Sequence, residues 1–148
     1  EMSATKTGAL IVIAQRSDIS DIIDSGITVN ANLSVALLEN IFFKNAPLHD
    51  GAVIIQDDRV VAAKCILPVT QSPVPKAYGT RHRAAIGITE TSDAIVVVVS
   101  EETGGISVAF RGQIERNIAP RNLMDNISKH FIDNQYTKDK IFDNEKVQ

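Results

Sequence analysis

Short apolar runs separated by polar turns recur along this chain, and they predict the strands of a sheet. Every residue of Gly8–Ala14 is apolar, and so is every residue of Ala94–Ser100 except the final serine. Unbroken apolar runs of this length are typical of strands buried on both faces, so we expect Ala94–Ser100 to lie inside a sheet. The remaining runs predict two hairpins: Ala52–Gln56 with Arg59–Leu67, and Gly105–Phe110 with Gln113–Arg116.

Helical spacing of apolar residues predicts the other elements. Asn32-Leu33-Ser34 can cap a helix that runs to about Phe43. Its predicted inner face holds Leu33, Ala36, Leu37, Asn40 and Ile41, and we expect Phe42 and Phe43 in the core. Further helices are predicted over Ser17–Asp24 (a short helix or turn), Thr80–Thr91, and from Pro120 to about Asn134. Strands mixed with helices predict an α/β domain with a mixed sheet.

Length and composition restrict the class of protein. With 148 residues one domain is expected, and no internal repeat is visible. A net charge of -3 without a long basic stripe argues against nucleic-acid binding. Cys65 is the only cysteine and has apolar neighbours, which predicts a buried, inert thiol and excludes a cysteine-rich zinc site.

The chain shows no membrane or export signal of its own. No run reaches the ~18 apolar residues of a membrane span, and no secretory signal pattern is present. Because Glu1 stands where an initiator methionine is usual, we expect a piece of a longer protein, whose preceding part is free to carry targeting or membrane segments.

The segment Leu48–Ala52 (LHDGA) carries the first candidate chemistry. Asp50 stands between the imidazole of His49 and Gly51, just before a predicted strand. This arrangement suits holding a metal or orienting a hydroxyl, but Asp-Gly is also a common turn dipeptide. A metal-hydrolase His-Asp pair is disfavoured, because such pairs lie on a helix and need more ligands than His82 and His130 supply.

The segment Gly79–Ala85 (GTRHRAA) carries the second set of residues with candidate chemistry. Arg81 and Arg83 flank His82 behind Thr80, at the start of a predicted helix. Guanidinium groups and helix N-terminal amides both favour phosphates, whereas the alternative is a solvated basic helix start. The small residues that follow, Ala84, Ala85 and Gly87, indicate close packing there, and the segment is not a P-loop because no GxxxxGK sequence is present.

The segment Ser100–Gly105 (SEETGG) follows the predicted interior strand. Its hydroxyls and glycines suit the rim of a nucleotide site, and the carboxylates of Glu101 and Glu102 suit a divalent cation. A polar hairpin loop is the alternative.

Taken together, these segments resemble the diadenylate cyclase family, also called the DAC or DisA_N domain. The resemblance runs from about Thr7 to Tyr136 and rests on TGALIVI, LHDGAVII, GTRHRAA and SEETGG. Within the family the chain looks most like the catalytic domain of the membrane-anchored CdaA/DacA type. The resemblance implies a mixed β-sheet surrounded by helices, with a catalytic domain over residues 7–136 and flexible ends at 1–6 and 137–148. It also implies condensation of two ATP into cyclic di-AMP and two pyrophosphates with Mn²⁺, Mg²⁺ or Co²⁺.

The resemblance also implies a role for individual residues. Asp50 is expected to help activate the 3′-hydroxyl, and His49, Asp50 and Glu102 to bind metal. The triphosphate is expected to contact Thr80, Arg81, His82 and Arg83, with Arg81 and Arg83 counted as catalytic. The rest of the nucleotide site is expected to comprise Gly51, Leu67 (mainly through its backbone), Ser100 and Glu101. Related enzymes can place a tyrosine against adenine where this chain has Ile66, so aromatic stacking is not expected there.

Assembly and location follow from the same resemblance. One domain holds one ATP, so the reaction implies a face-to-face homodimer. The partners that the resemblance implies are a CdaR-type membrane regulator and a GlmM-type phosphoglucosamine mutase. The implied location is a cytoplasmic catalytic domain, anchored by N-terminal transmembrane helices that this chain lacks, with no membrane contact required by the fragment. The rival function is a non-catalytic nucleotide-binding regulatory domain.

Overall fold

A computed structural model describes residues 2–132 and shows an α/β fold built on one mixed, seven-stranded sheet. The strands are β1 (Ala9–Ile13), β2 (Ile27–Asn32), β3 (Ala52–Gln56), β4 (Arg59–Cys65), β5 (Ile95–Val99), β6 (Ile106–Phe110) and β7 (Gln113–Ile118). Their order across the sheet is β2-β4-β3-β1-β5-β6-β7. β1 and β3 run parallel, and every other neighbouring pair is antiparallel.

Helices cover both faces of the sheet. They are α1 (Ser20–Asp24), α2 (Val35–Phe42), α3 (Thr80–Thr91) and α4 (Leu123–Ser128), the last preceded by a 3-10 turn at Pro120–Asn122. Alternate residues of β1 and β5 enter two separate cores, as the pleat of a strand requires. One core lies against α2 and α4 through Phe42 and Ile127, and the other lies against α3 through Ala85 and Ile88.

Most predicted elements are confirmed. Both hairpins are present, α3 has the predicted bounds, and β5 is buried along its whole length between β1 and β6. The Ser34 hydroxyl caps α2 by accepting a hydrogen bond from the Leu37 amide at 3.1 Å. Cys65 is buried as expected, and burial raises the pKa of its thiol to about 11.

Three predictions of local structure are wrong, and one strand was not predicted. The strand β2 was not predicted, because it is a partly exposed edge strand in which only three apolar residues alternate with polar ones. Phe43 lies outside the core with 65% of its surface exposed, since α2 ends at Phe42 and the backbone turns away. Ala36 and Asn40 are also exposed, so the inner face of α2 is narrower than predicted. The helix after Pro120 ends at Ser128, and the remaining described residues are not helical.

Other predictions lie partly or wholly outside the described residues. Positions 133–134 of the predicted helix, the predicted domain end at 136 and the predicted flexible end at 137–148 fall beyond residue 132. At the other end, residues 2–6 form turns, in which the Ser3 hydroxyl donates to the Gly104 carbonyl at 2.5 Å. No helix within residues 2–132 is long and apolar enough to cross a membrane.

The strand directions bring four chain segments together at one end of the central strands, which we call the cleft edge of the sheet. β1 and β3 begin at this edge, and because β4 and β5 run antiparallel to them, those two strands end there. The segments that precede β1 and β3 and those that follow β4 and β5 therefore meet. α3 begins at the same place, which puts all three sequence motifs within reach of one another.

Candidate functional site

A cleft with a volume of about 860 Å³ opens at this edge of the sheet. It is lined by Leu10, Ser25, Gly26, Ile27, His49, Asp50, Gly51, Lys64, Cys65, Ile66, Leu67, Val69, Thr80, Arg81, Ala84 and Glu101. Seven of the predicted site residues are in this lining: His49, Asp50, Gly51, Leu67, Thr80, Arg81 and Glu101. The remaining four, His82, Arg83, Ser100 and Glu102, are not.

Asp50 and Gly51 enter the cleft immediately before β3. Gly51 has φ +105°, a conformation that side chains disfavour. A Cβ at this position would stand 2.9 Å from the backbone Cα of Lys64. Glycine is therefore required here because the β4 backbone packs directly against it, and this contact holds the preceding Asp50 at the cleft.

His49 is held in one orientation by a hydrogen bond to the backbone. Its Nδ1 lies 2.8 Å from the carbonyl oxygen of Ala46. A carbonyl can only accept, so Nδ1 carries the proton and the Nε2 of the neutral ring keeps its lone pair. The same arrangement is typical of histidines whose other nitrogen binds a metal.

Thr80 and Arg81 stand at the N-terminus of α3. The N-cap residue Gly79 supplies no capping side chain, so no side-chain cap occupies the first-turn amides of this 12-residue helix. The Arg81 guanidinium lies 3.5 Å from the Glu101 carboxylate and directly against Gly8. A helix N-terminus and an arginine thus meet at one wall of the cleft, which is an arrangement suited to phosphates.

His82 and Arg83 lie outside the lining. The His82 ring is buried, with 6% exposed, and its centroid lies 5.8 Å from that of Tyr78. Burial lowers the pKa of His82, and the nearby charges of Arg116 and Arg81 lower it further. The Arg83 side chain is exposed, and its Nε donates to the Tyr78 carbonyl at 3.3 Å. These contacts place both residues where they support the start of α3.

Ser100 and Glu102 belong to the loop that follows β5. The Ser100 hydroxyl accepts hydrogen bonds from the amides of Glu102 at 3.2 Å and Thr103 at 3.3 Å, so it shapes the loop. Glu102 is exposed and outside the lining, whereas its neighbour Glu101 lines the cleft. The roles predicted for both residues stay predictions.

The cleft has two chemically different sides. Ile27, Ile66 and Val69 are large apolar side chains that are exposed within the lining by 52%, 72% and 43%. Thr80, Arg81 and Glu101 form a polar side. A ligand with a flat apolar part and an anionic part, such as a nucleotide, matches this division.

The described part of the cleft holds two side chains with metal-binding chemistry, His49 and Asp50, but not a complete set of ligands. Within residues 2–132, no three His, Cys, Asp or Glu side chains are grouped closely enough to hold a metal ion. His49 and Asp50 nevertheless lie together in the cleft, with the Nε2 lone pair available. Mg²⁺ commonly binds through one or two carboxylates plus substrate phosphates, so this incomplete donor set fits a metal that arrives with a nucleotide.

Sequence reasoning assigned no role to two residues that shape the charged part of the cleft. Gly8 was quoted only as part of a motif, yet it is what lets the Arg81 guanidinium lie against the start of β1. Lys64 was not singled out, although it lines the cleft beside Gly51. The available signal was a charged residue between Ala63 and Cys65, in a strand that is otherwise apolar after Arg59.

Comparisons of this chain with known proteins and with a family model agree with one another. The family model described as DisA bacterial checkpoint controller nucleotide-binding (DAC) matches residues 1–114. The chain is 45% identical over 131 residues to the cyclic di-AMP synthase CdaA of Bacillus subtilis, covering 88% of this chain and 48% of that protein. It is 44% identical over 142 residues to a diadenylate cyclase of Listeria monocytogenes, covering 95% of this chain and 52% of that protein. The chain therefore spans about half the length of these curated relatives.

A solved structure supports the same relationship. The crystal structure of a double mutant of DacA from Staphylococcus aureus is 45% identical and superposes with a TM-score of 0.85, covering 88% of each chain. The family match covers more than half of this chain, and it includes all the segments that form the cleft. The chain belongs to the DAC family, the DisA-type bacterial nucleotide-binding family.

Proposed function

We propose that this chain is a diadenylate cyclase, which condenses two ATP into cyclic di-AMP and releases two pyrophosphates. One observation carries the proposal: the Asp50-Gly51 pair and the Thr80-Arg81 start of α3 line one cleft. A carboxylate that orients a hydroxyl and a helix N-terminus that holds phosphates are the two parts that nucleotidyl transfer needs. The names of the relatives support the same chemistry.

In the proposed reaction, the 3′-oxygen of each ATP attacks the α-phosphorus of the other. A bond forms between that oxygen and phosphorus, the bond from the α-phosphorus to the pyrophosphate oxygen breaks, and the hydroxyl proton is lost. Asp50 orients the hydroxyl and favours loss of its proton. Arg81, Thr80 and the first-turn amides of α3 hold the triphosphate and offset its charge.

The remaining predicted residues act around this centre. His82 and Arg83 lie outside the lining, so we propose that they support the phosphate-binding helix start through their contacts with Tyr78. Ser100 shapes the loop that presents Glu101 to the cleft. Adenine lies against Gly51 and the backbone of Leu67, on the apolar side where Ile66 gives aliphatic rather than aromatic contact.

A divalent metal, Mn²⁺, Mg²⁺ or Co²⁺, is part of the proposal. His49 and Asp50 are the residues in the cleft that fit it, and Glu102 is a further predicted ligand from the adjacent loop. When bound, the ion would offset phosphate charge and lower the pKa of the attacking hydroxyl.

We further propose that the active unit is a face-to-face homodimer. The cleft contains one Asp50 and one Arg81, whereas the reaction joins two nucleotides. A CdaR-type membrane regulator and a GlmM-type phosphoglucosamine mutase are proposed as partners of the whole protein. Nucleic acid is not a proposed ligand, since the net charge is -3.

We propose a cytoplasmic catalytic domain over residues 7–136, in a longer protein that N-terminal transmembrane helices anchor in the cell membrane. The curated relatives are about twice the length of this chain, which leaves room for such segments. The fragment itself is proposed to need no membrane contact for catalysis.

The test is incubation of the protein with ATP and Mn²⁺, followed by identification of the products by mass. Cyclic di-AMP and pyrophosphate in a ratio of one to two are expected, and chelation of the metal should stop their formation. Tight ATP binding without conversion, at concentrations where the protein is dimeric, would instead favour the non-catalytic nucleotide-binding regulator.

A further inference from the structure

Lys64 has a backbone conformation that lysine disfavours. Its φ is +57°, in the left-handed region. It lies at a β-bulge: between the pairs Ala52↔Cys65 and Ile54↔Ala62, β4 contains one more residue than β3. Glycine is the usual residue in a bulge position of this conformation, so this lysine carries strain that glycine would avoid.

The bulge determines which way β4 presents its side chains. Ala63 and Cys65 are both buried, whereas Lys64 between them is exposed. Lys64 lines the cleft, and its Cα lies against Gly51, the neighbour of Asp50. The strained residue therefore lies within the site, which is where such strain is commonly retained for function.

The balance of charges in the cleft indicates why a cation is needed at this position. The charged side chains in the lining are two carboxylates, Asp50 and Glu101, and two cations, Lys64 and Arg81. Arg81 is already paired with Glu101 at 3.5 Å. In the described part of the chain Lys64 forms no ion pair. Without it the lining would be net negative and would repel a polyanion such as ATP.

We propose that Lys64 is a nucleotide-binding residue whose ammonium group contacts a phosphate of bound ATP. The inference rests on the proposed function, since it takes ATP as the ligand of the cleft. An ammonium on a flexible four-carbon stem is a mobile point charge that suits a phosphate. Lys64 thus supplies charge from the β4 side of the cleft, in addition to Arg81 at α3.

The first test removes the charge and keeps the stem. ATP and adenosine are titrated into wild-type protein and into Lys64→Met by calorimetry. ATP binding should weaken about tenfold, the effect of losing one charge-assisted contact, while adenosine binding stays unchanged. Equal weakening for adenosine would show that Lys64 contacts the base or ribose and would overturn the phosphate assignment. Unchanged ATP affinity would overturn any role in binding.

A second variant separates binding from folding. Lys64→Gly removes both the charge and the strain, so it should raise the Tm by about 3 °C and weaken ATP binding by about tenfold. Arg111→Gly is the matched control, because Arg111 is also a cation at positive φ, +54°, in the β6–β7 turn outside the cleft lining. It should leave ATP affinity unchanged. A Lys64→Gly protein that binds ATP like wild type would overturn the proposal even though it is folded.

Failure of this inference is distinguishable from failure of the cyclase proposal. If wild-type protein binds ATP without forming cyclic di-AMP, the cyclase proposal fails while the affinity of Lys64→Met still decides the role of Lys64. If product forms but Lys64→Met has wild-type ATP affinity, the Lys64 inference alone fails. Wild-type protein that binds neither ATP nor adenosine overturns both.

Discussion

The guanidinium group of Arg81 lies directly against Gly8, with no side chain between them. A Cβ on Gly8 would stand 2.8 Å from both Cζ and Nη1 of Arg81. Glu101 approaches the same guanidinium at 3.5 Å. The backbone before β1 and the loop after β5 therefore fix the position of the arginine at the start of α3. A residue without a side chain thus determines where the Arg81 guanidinium lies in the cleft.

Gly8→Ala should consequently impair the site without unfolding the protein. The three atoms nearest to the added methyl group all belong to the end of the flexible Arg81 side chain. Because that side chain can move while the fold remains, we expect the Tm to change by less than about 2 °C. ATP binding should weaken about tenfold, because a charged hydrogen bond contributes roughly 1.5–3 kcal/mol and is partly lost. Calorimetry with ATP checks this, and wild-type affinity would show that the position of Arg81 is not critical.

Arg81 and Arg83 should differ in their effects on ATP binding. Arg81 lines the cleft, whereas Arg83 is exposed outside it and donates to the Tyr78 carbonyl. Arg81→Ala should cost roughly 1.5–3 kcal/mol of ATP binding. Arg83→Ala should cost less than about 1 kcal/mol, because it acts only through the position of the helix start. Titration of both variants with ATP measures the two losses of binding free energy. Equal losses would mean that Arg83 turns into the cleft when nucleotide binds.

Asp50→Asn should abolish cyclisation and leave ATP binding largely intact. Asparagine keeps the shape of the side chain but loses the charge that favours proton loss from the 3′-hydroxyl. We expect turnover to fall by more than about 100-fold, measured as cyclic di-AMP formed per unit time. Asp57→Asn is the matched control, since Asp57 is exposed in the β3–β4 turn at the opposite end of β3. Turnover of Asp50→Asn within tenfold of wild type would remove Asp50 from the mechanism.

The sequence predicted the interior of the fold better than its edges, for a physical reason. Burial on both faces leaves an unbroken apolar run, so β1 and β5 were predictable. The edge strand β2 has one solvated side and keeps only a weak alternation of Ile27, Val29 and Ala31. Phe43 was misplaced because hydrophobicity predicts burial, while the end of α2 one residue earlier decides it.

Predictions of the site were limited in a similar way, because the sequence reports the chemistry of residues but not the direction of their side chains. Motifs identified which segments meet, because the residues of Leu48–Ala52, Gly79–Ala85 and Ser100–Gly105 have the right chemistry. They could not identify which side chains face the cleft. Successive residues of a helix point in different directions, so Arg81 enters the cleft while His82 turns to the core. Lys64 was missed because a bulge, which no motif announces, places it there.

Gly87 gives a prediction about stability. The small residues of α3 indicated close packing. At Gly87 the group that packs closely is the backbone of the segment after β4, because a Cβ would stand 1.9 Å from the Pro68 carbonyl oxygen. Overpacking usually lowers the free energy of unfolding by about 1–3 kcal/mol, while alanine gains roughly 1 kcal/mol over glycine in a helix. Because the clash is with a backbone atom, we expect Gly87→Ala to lower the free energy of unfolding by a net ~1–2 kcal/mol. Denaturant unfolding measures it, and a variant as stable as wild type would show that the segment after β4 shifts easily.

The dependence of catalysis on assembly is testable by dilution. The cleft contains one Asp50-Gly51 pair and one Arg81, yet each 3′-hydroxyl must reach the α-phosphorus of a second nucleotide. Two clefts related by a two-fold axis satisfy both requirements at once, because each subunit then presents the same surface to the other. Specific activity should therefore rise with protein concentration and reach a plateau once the dimer predominates. Sedimentation at the same concentrations reports the assembly state, and the rise in activity should follow the rise in dimer. Lys64→Met should show the same midpoint at saturating ATP, because its expected defect is in nucleotide binding. Constant activity per chain in samples that sediment as monomers would contradict a mechanism with two facing sites.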